Sequence, residues 1–343
     1  MKVSCLTFHD SSNYGSVLQS YALQSVLEEM GNEYEIINYS NKEKRKYDSL
    51  FYKNKEQSIV RYLGKLVDSP YNIWKRYKFR KFSNQFLHQT RRMNKFSELQ
   101  AYGATRDALL VGSDQVWNAD MIRKDPAYFL KFADSYKSIA YAASIGKSML
   151  NEEEKKFLQQ MLKDFKHISV REKTAAELIK QITAQKVEVV LDPTLILDKN
   201  EWMKICVEKK KKPYIFAYVL TEIPGVQNFL RDLMKATNLP LYYVSAHFIS
   251  AHNKKSTSIP TPQEWVTLIM NAEYVVTTSF HGTAFSTNFE KRFFTFIEGS
   301  PQNSQNSRQV DFLKSVELEH RINPVFSMEL LRDSLDFKQS KLF

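Results

Sequence analysis

The side chains best able to do chemistry stand in short polar stretches that each follow an apolar run. His281 and Gly282 come just after Tyr274-Val275-Val276, in TTSFHGTAFS (277–286). Asp114 closes ALLVGSD, Arg171 follows HISV, and Asn13-Tyr14-Gly15 comes after the first apolar run and His9-Asp10. Imidazole titrates near neutral pH and suits a general acid, and a guanidinium fork matches a carboxylate or phosphate. A carboxylate orients a hydroxyl or takes its proton. Each residue also has a plain structural reading. His281 can hydrogen-bond its own loop, Arg171 can pair at a helix start, Asp114 can cap a loop, and Asp192-Pro193 can form a turn. Type and position alone leave both readings open.

Several chemistries lack their signatures. The sequence has no GxxxxGK[ST] loop, no GxGxxG after the first strand and no GxSxG elbow. His247 and His252 stand five apart without an evident third ligand, so no metal site is expected. The expectation is a cleft enzyme working with acid, base and cation groups, without metal or cofactor.

Apolar strands alternate with helical stretches along the whole chain. Strands are expected at 2–8, 34–39, 108–111, within 138–146 (strand and loop), at 167–172 and in 187–197, where Asp192-Pro193 closes the strand, with helices at 16–30 and from about 151. The pattern restarts with strands at YIFAYVL, LPLYYVSA, AEYVVTTS and RFFTFI, and helices at 223–237, 262–270 and 283–290. This alternation predicts an α/β protein with two Rossmann-like domains, their parallel sheets facing across a cleft. The expected bounds are 1–205, with a basic helical insertion at about 42–95, then 213–325, then a tail or helix at 326–343 able to pack back on the first domain. The lysine run Glu208–Lys212 before Pro213 reads as the linker. Ligands in such sheets bind beyond the carboxyl ends of the strands, where the polar loops lie.

Composition bounds the class. At 343 residues, with 43% hydrophobic and 25% charged, the chain is globular and long enough for two domains. Cys5 and Cys206 sit in apolar segments and read as buried free thiols of a reducing compartment. The early polar residues and the lack of a long apolar run predict a cytoplasmic protein. The segment from Lys42 to Arg92 carries 15 Lys/Arg and four acids, matching the whole chain's net charge of +11. Its interleaved aromatics fit either a solvated insertion with inward rings, or contact with an anionic membrane surface or acidic substrate. No nucleic-acid-binding signature accompanies the charge.

Six blocks then carry a resemblance: NYGSVLQSYALQ (13–24), VGSDQVWN (111–118), AYAASIG (140–146), SVRE (169–172), LDPTLIL (191–197) and TTSFHGTAFS (277–286). Together, in this order, they resemble the polysaccharide pyruvyl transferase family, with NSRQVDFL (306–313) similar to a further C-terminal element. The resemblance implies a GT-B-like arrangement. It also implies transfer of pyruvate from phosphoenolpyruvate, as a ketal, onto a sugar of a bacterial capsule, exopolysaccharide or cell-wall glycan, or onto its lipid-linked precursor.

Under that resemblance His281 is the proton donor, Arg171 the cation for the anionic donor, and Asp114 the residue orienting the acceptor or accepting its proton. Asn13, Gly15, Gly112, Ser113, Ser279, Gly282, Thr283 and Arg308 are the candidate substrate-binding residues. Gly282 is expected to let backbone N–H groups approach phosphate closely. One departure stands out. The family's pattern often has arginine two residues before the histidine, where this chain has Ser279, leaving Arg308 or Arg292 to replace that cation. The other readings are a GT-B glycosyltransferase using a nucleotide sugar, and a non-catalytic glycan-binding or assembly protein.

Overall fold

Strands buried on both faces need a helical layer on each side, and parallel sheets with crossover helices supply it. The computed structural model, which describes residues 1–40, 69–208, 212–245, 259–299 and 307–332, contains two such sheets. The chain divides into two compact units, Met1–Pro193 and Thr194–Phe343.

The first unit holds β1 (Lys2–Leu6), β2 (Glu33–Ile36), β3 (Ala108–Val111), β4 (Ser138–Ala143), β5 (His167–Val170) and β6 (Val187–Val189). All pair in parallel, in the order β2-β1-β3-β4-β5-β6. Its longer described helices are α1 (Tyr14–Glu29), α2 (Ser69–Phe86), α3 (Phe96–Gly103), α4 (Glu152–Leu162) and α5 (Lys173–Ile182). The strand order turns back on itself between β1 and β3, which opens a crevice at their carboxyl ends. Leu6 pairs with Val111, so the loops after both strands leave at one level. One core cluster of this unit runs from Leu6 and Val111 to Trp117, Phe129, Val170 and Ile179.

The second unit holds β7 (Ile215–Val219), β8 (Leu241–Ser245), β9 (Tyr274–Thr277) and β10 (Arg292–Thr295), in the order β10-β9-β7-β8. Its longer described helices are α6 (Val226–Thr237), α7 (Pro262–Asn271), α8 (Phe280–Asn288) and α9 (Ser307–Ser315). The switch point here lies between β7 and β9, where Tyr218 pairs with Thr277.

The expected α/β class and parallel sheets are present, but three boundaries move. The division falls at Pro193/Thr194 rather than at 205–213. Trp202 is fully buried, donates its indole N–H to the Thr194 carbonyl at 3.2 Å and packs on Phe285, which ties this stretch to the second unit. The expected strand in 187–197, closed by Asp192-Pro193, already stops at Val189, and Pro193–Ile196 forms a helical turn. Phe326 stacks edge-on against Phe229 and Leu331 joins the second core, so the tail as far as Arg332 belongs to the second unit and not the first. Cys5 is buried as expected, whereas Cys206 is only half-buried. Most of the basic insertion (41–68), lysines 209–211, His247 and His252 lie outside the described residues.

Part of the insertion is described. Helix α2 has five basic and no acidic residues, and it buries Tyr71, Phe79 and Phe82 while exposing Ile73, Trp74 and Tyr77. Lys75 lies on the inward face, only 8% exposed. Burial pulls its ammonium down from an ordinary value of 10.5 to about 8. Between those values the unfolded chain binds more protons than the folded one, so stability rises with pH across that window. Lys75→Met is therefore expected to raise the melting temperature by about 5 °C at pH 7. Thermal melts should show the gain shrinking from pH 8 upward and vanishing above about 10.5.

Candidate active site

In the first unit, the loops at the switch point are linked directly. Asn13 caps α1, its side chain accepting from Gly15 N at 2.9 Å, and Ser16 Oγ donates to Asp114 Oδ2 at 2.5 Å. Gly112 has φ +122°, and a Cβ there would lie 2.0 Å from the Tyr141 carbonyl oxygen, so only glycine fits. This sharp path turns Asp114 (φ 73°) toward α1. Thr7 Oγ1 donates to the Ser113 carbonyl at 3.2 Å, while Ser113 Oγ donates to Asp192 Oδ2 at 3.2 Å.

Arg171 stands among three carboxylates. Its guanidinium reaches Asp192 Oδ2 at 2.5 Å, Asp114 Oδ1 at 3.6 Å and Glu172 Oε2 at 3.7 Å, with 2% of its side chain exposed. Burial alone would lower its proton affinity, but Asp192, Asp114 and Glu172 outweigh that and raise it. Glu172 also accepts from Ser144 Oγ at 2.7 Å. Four strand ends thus meet here: Asp114 after β3, Ser144 after β4, Arg171 and Glu172 after β5, and Asp192 after β6. The sequence patterns did not show Glu172 and Asp192 as part of this group. Asp-Pro carries a turn signature, and a buried Glu has none.

In the second unit, His281 lies within the first turn of α8, which begins three residues earlier than the periodicity suggests. Ser279 is the N-cap, buried, with its Oγ facing Gly282 N at 3.5 Å. Thr277 Oγ1 donates to the Tyr218 carbonyl at 2.9 Å and accepts from Ser279 N at 3.1 Å, fixing the switch point. Thr278 Oγ1 accepts from Leu220 N at 2.9 Å. The His281 ring is 5% exposed and lies edge-on to Phe280, with centroids 5.1 Å apart. The Arg308 guanidinium, at the start of α9, lies over the same Phe280 ring at 6.0 Å.

Three candidates take on different roles. A Cβ on Gly282 would meet Thr277 Oγ1 at 2.2 Å, so its small size serves this inward contact with β9. Thr283 is fully buried, bonded to the Ser279 carbonyl at 3.1 Å and Thr295 Oγ1 at 2.9 Å, and so holds α8 to β10. Arg292 opens β10, at the opposite sheet edge from His281, and pairs with Glu273 at 3.3 Å. That placement removes Arg292 as the replacement cation and leaves Arg308 beside the histidine.

A buried histidine at a helix start, with an arginine on the neighbouring ring, defines a polar centre at the carboxyl edge of a parallel sheet. The family profile of polysaccharide pyruvyl transferases matches residues 13–300. The chain belongs to that family, and is a transferase. No curated protein matches it in sequence. Among solved structures it is similar to UDP-GlcNAc 2-epimerase from Methanocaldococcus jannaschii, at 14% identity and TM-score 0.48, covering 99% of this chain and 94% of that one. It is also similar to the E. coli heptosyltransferase WaaC with ADP-2-deoxy-2-fluoro heptose, at 10% identity and TM-score 0.41, covering 92% and 98%. A third likeness is to E. coli ADP-heptose lps heptosyltransferase II, at 11% identity and TM-score 0.39, covering 97% and 94%.

Two substitutions test the packing of these centres. Arg171→Met leaves three buried carboxylates uncompensated and should destabilise the first unit by about 3–5 kcal/mol in denaturant melts. Gly282→Ala forces Thr277 aside and should cost about 1–3 kcal/mol, read from the same melts.

Proposed function

We propose that the protein transfers the pyruvyl group of phosphoenolpyruvate onto a sugar of a bacterial surface polysaccharide or its lipid-linked precursor, forming a ketal and releasing phosphate. The observation carrying this reading is His281, buried in the first turn of α8 at the switch point of the second sheet, within a family-matched span. The reaction needs no cofactor. Proton transfer from His281 to the methylene carbon leaves a cationic carbon bearing the phosphate and carboxylate. One sugar hydroxyl adds there, phosphate departs with the C–O electron pair, and a second hydroxyl closes the ketal. The two hydroxyl protons replace the one delivered by His281 and leave one for phosphate or solvent.

The donor's phosphate is proposed to sit at the N-terminal end of α8, whose backbone N–H groups and dipole suit an anion. Arg308 supplies the cation that the family's pattern often places where Ser279 stands. In the first unit, Asp114 accepts the acceptor's proton, and Arg171 acts as its positioning residue through the carboxylate group described above. Asn13, Gly15, Gly112 and Ser113 shape the adjoining loops.

His281→Ala should lower phosphate release from phosphoenolpyruvate about 10²–10⁴-fold with lipid-linked sugar acceptors. An equally active variant removes His281 as the acid. Release of nucleoside diphosphate from a nucleotide sugar, without phosphate from phosphoenolpyruvate, would instead mark a glycosyltransferase. Arg308→Ala is expected to raise the half-saturating phosphoenolpyruvate concentration about tenfold or more, and unchanged affinity excludes it.

The acceptor's lipid anchor gives the outer face of α2 a role. Trp74 and Tyr77 are 53% and 56% exposed and stack at 5.3 Å, beside Ile73, Arg76, Arg80 and Lys81. Exposed rings among cations suit an anionic membrane interface. No described helix is long and apolar enough to cross a membrane, so the proposed contact is peripheral, at the inner face. The double variant Trp74→Ser with Tyr77→Ser should lose co-sedimentation with phosphatidylglycerol vesicles, while vesicles of phosphatidylcholine alone bind neither protein.

A further inference from the structure

Helix α2 packs along α1 in the same direction. The rings of Tyr14 and Phe79 lie 4.7 Å apart and those of Tyr21 and Phe82 6.3 Å apart, and Gln24 Nε2 donates to the Phe86 carbonyl at 3.0 Å. One turn back along α2 from Phe79, about 5.4 Å, brings Lys75 past the first residue of α1. Its Nζ lies 5.7 Å from the Tyr14 ring centre and 5.8 Å from that of Phe79. Lys75 therefore stands beside the first residue of α1, the helix that follows β1.

Among the described residues, no carboxylate balances its charge. Lys75 is 8% exposed, and no carboxylate among the described residues forms an ion pair with it. The first turn of α1 holds no acidic residue. Asp114, whose loop is bonded to α1 through Ser16, is also engaged by the Gln115 amide and Arg171. Two aromatic faces attract an ammonium but do not replace the hydration it loses on burial. A methionine would fill the same space without that cost, so the lysine's presence needs a compensating gain.

We propose that Lys75 and the N-terminal end of α1 bind a phosphate group of a substrate. The helix end contributes backbone N–H groups and the positive end of its dipole, and the ammonium contributes a point charge. An amine titrating near 8 is still mostly cationic at neutral pH, and a bound dianion would hold it so. The phosphate has two possible sources, the donor phosphoenolpyruvate or the pyrophosphate of a lipid-linked acceptor, and in naming them the inference rests on the pyruvyl-transfer reading. The same helix would then present aromatics to the membrane on one face and a phosphate ligand to the site on the other.

The test is calorimetric titration of the full chain with phosphoenolpyruvate and, separately, inorganic pyrophosphate, in wild type, Lys75→Met and Lys75→Arg. Lys75→Met should weaken one probe about tenfold or more, with Lys75→Arg staying within about threefold of wild type. Loss on phosphoenolpyruvate assigns the donor's phosphate, and loss on pyrophosphate assigns the acceptor's. Unchanged binding of both probes by Lys75→Met, or no binding of either by wild type, overturns the proposal. Thermal melts of each variant separate lost binding from lost folding, and Lys75→Gln repeats the test should Lys75→Met melt below wild type. The pyruvyl-transfer reading fails separately. Wild type that releases no phosphate from phosphoenolpyruvate, yet binds pyrophosphate through Lys75, removes that reading and keeps this one.

Discussion

One guanidinium holds the functional edge of the first sheet together. Parallel strands end in separate loops, and nothing in a β ladder forces those loops to converge. Arg171 does so by meeting Asp114, Glu172 and Asp192, which follow three different strands, while Ser144 brings in a fourth through Glu172. Such a buried group contributes little net stability, since desolvation offsets most of the attraction. What it contributes is position. Asp114 is fixed by Arg171 on one side and Ser16 on the other, which joins the carboxylate group to the start of α1. The proposed roles of Asp114 and Arg171 depend on that link.

The second unit solves the same problem with hydroxyls. Thr277, Thr278, Ser279 and Thr283 bind backbone or one another at the end of β9, and Ser286 and Thr287 return hydrogen bonds to carbonyls four residues earlier. These bonds let an uncharged but polar helix be buried almost throughout. Gly282 against Thr277 brings α8 tight onto the strand, which sets where the His281 ring sits.

Much of this was legible from residues alone. The strands were, because buried parallel strands read as apolar runs, and the polar loops that follow them were found for the same reason. Asp192 was read as a turn because Asp-Pro favours one, and its burial depends on Arg171, 21 positions earlier. Glu172 was seen only as part of the SVRE loop and Lys75 was passed over, because charged side chains usually face water and only tertiary contacts show otherwise. The domain boundary was misplaced for a related reason. A run of lysines looks like a linker, whereas the anchoring of Trp202 on Thr194 and Phe285 leaves no local pattern.

Ser279 is where sequence and structure inform each other most. As a departure from the family's pattern it suggests a lost cation, and with it a lost activity. In the structure the serine caps α8 and so keeps the backbone of the His281 turn in place. A cap and a cation cannot be the same side chain, so the charge has to come from another segment. In the proposed reaction Arg308 takes that part from the start of α9, where the Phe280 ring lies beside both His281 and the Arg308 guanidinium. Under the proposed reaction, the substitution separates two tasks: Ser279 holds the helix, and binding the anion falls to Arg308.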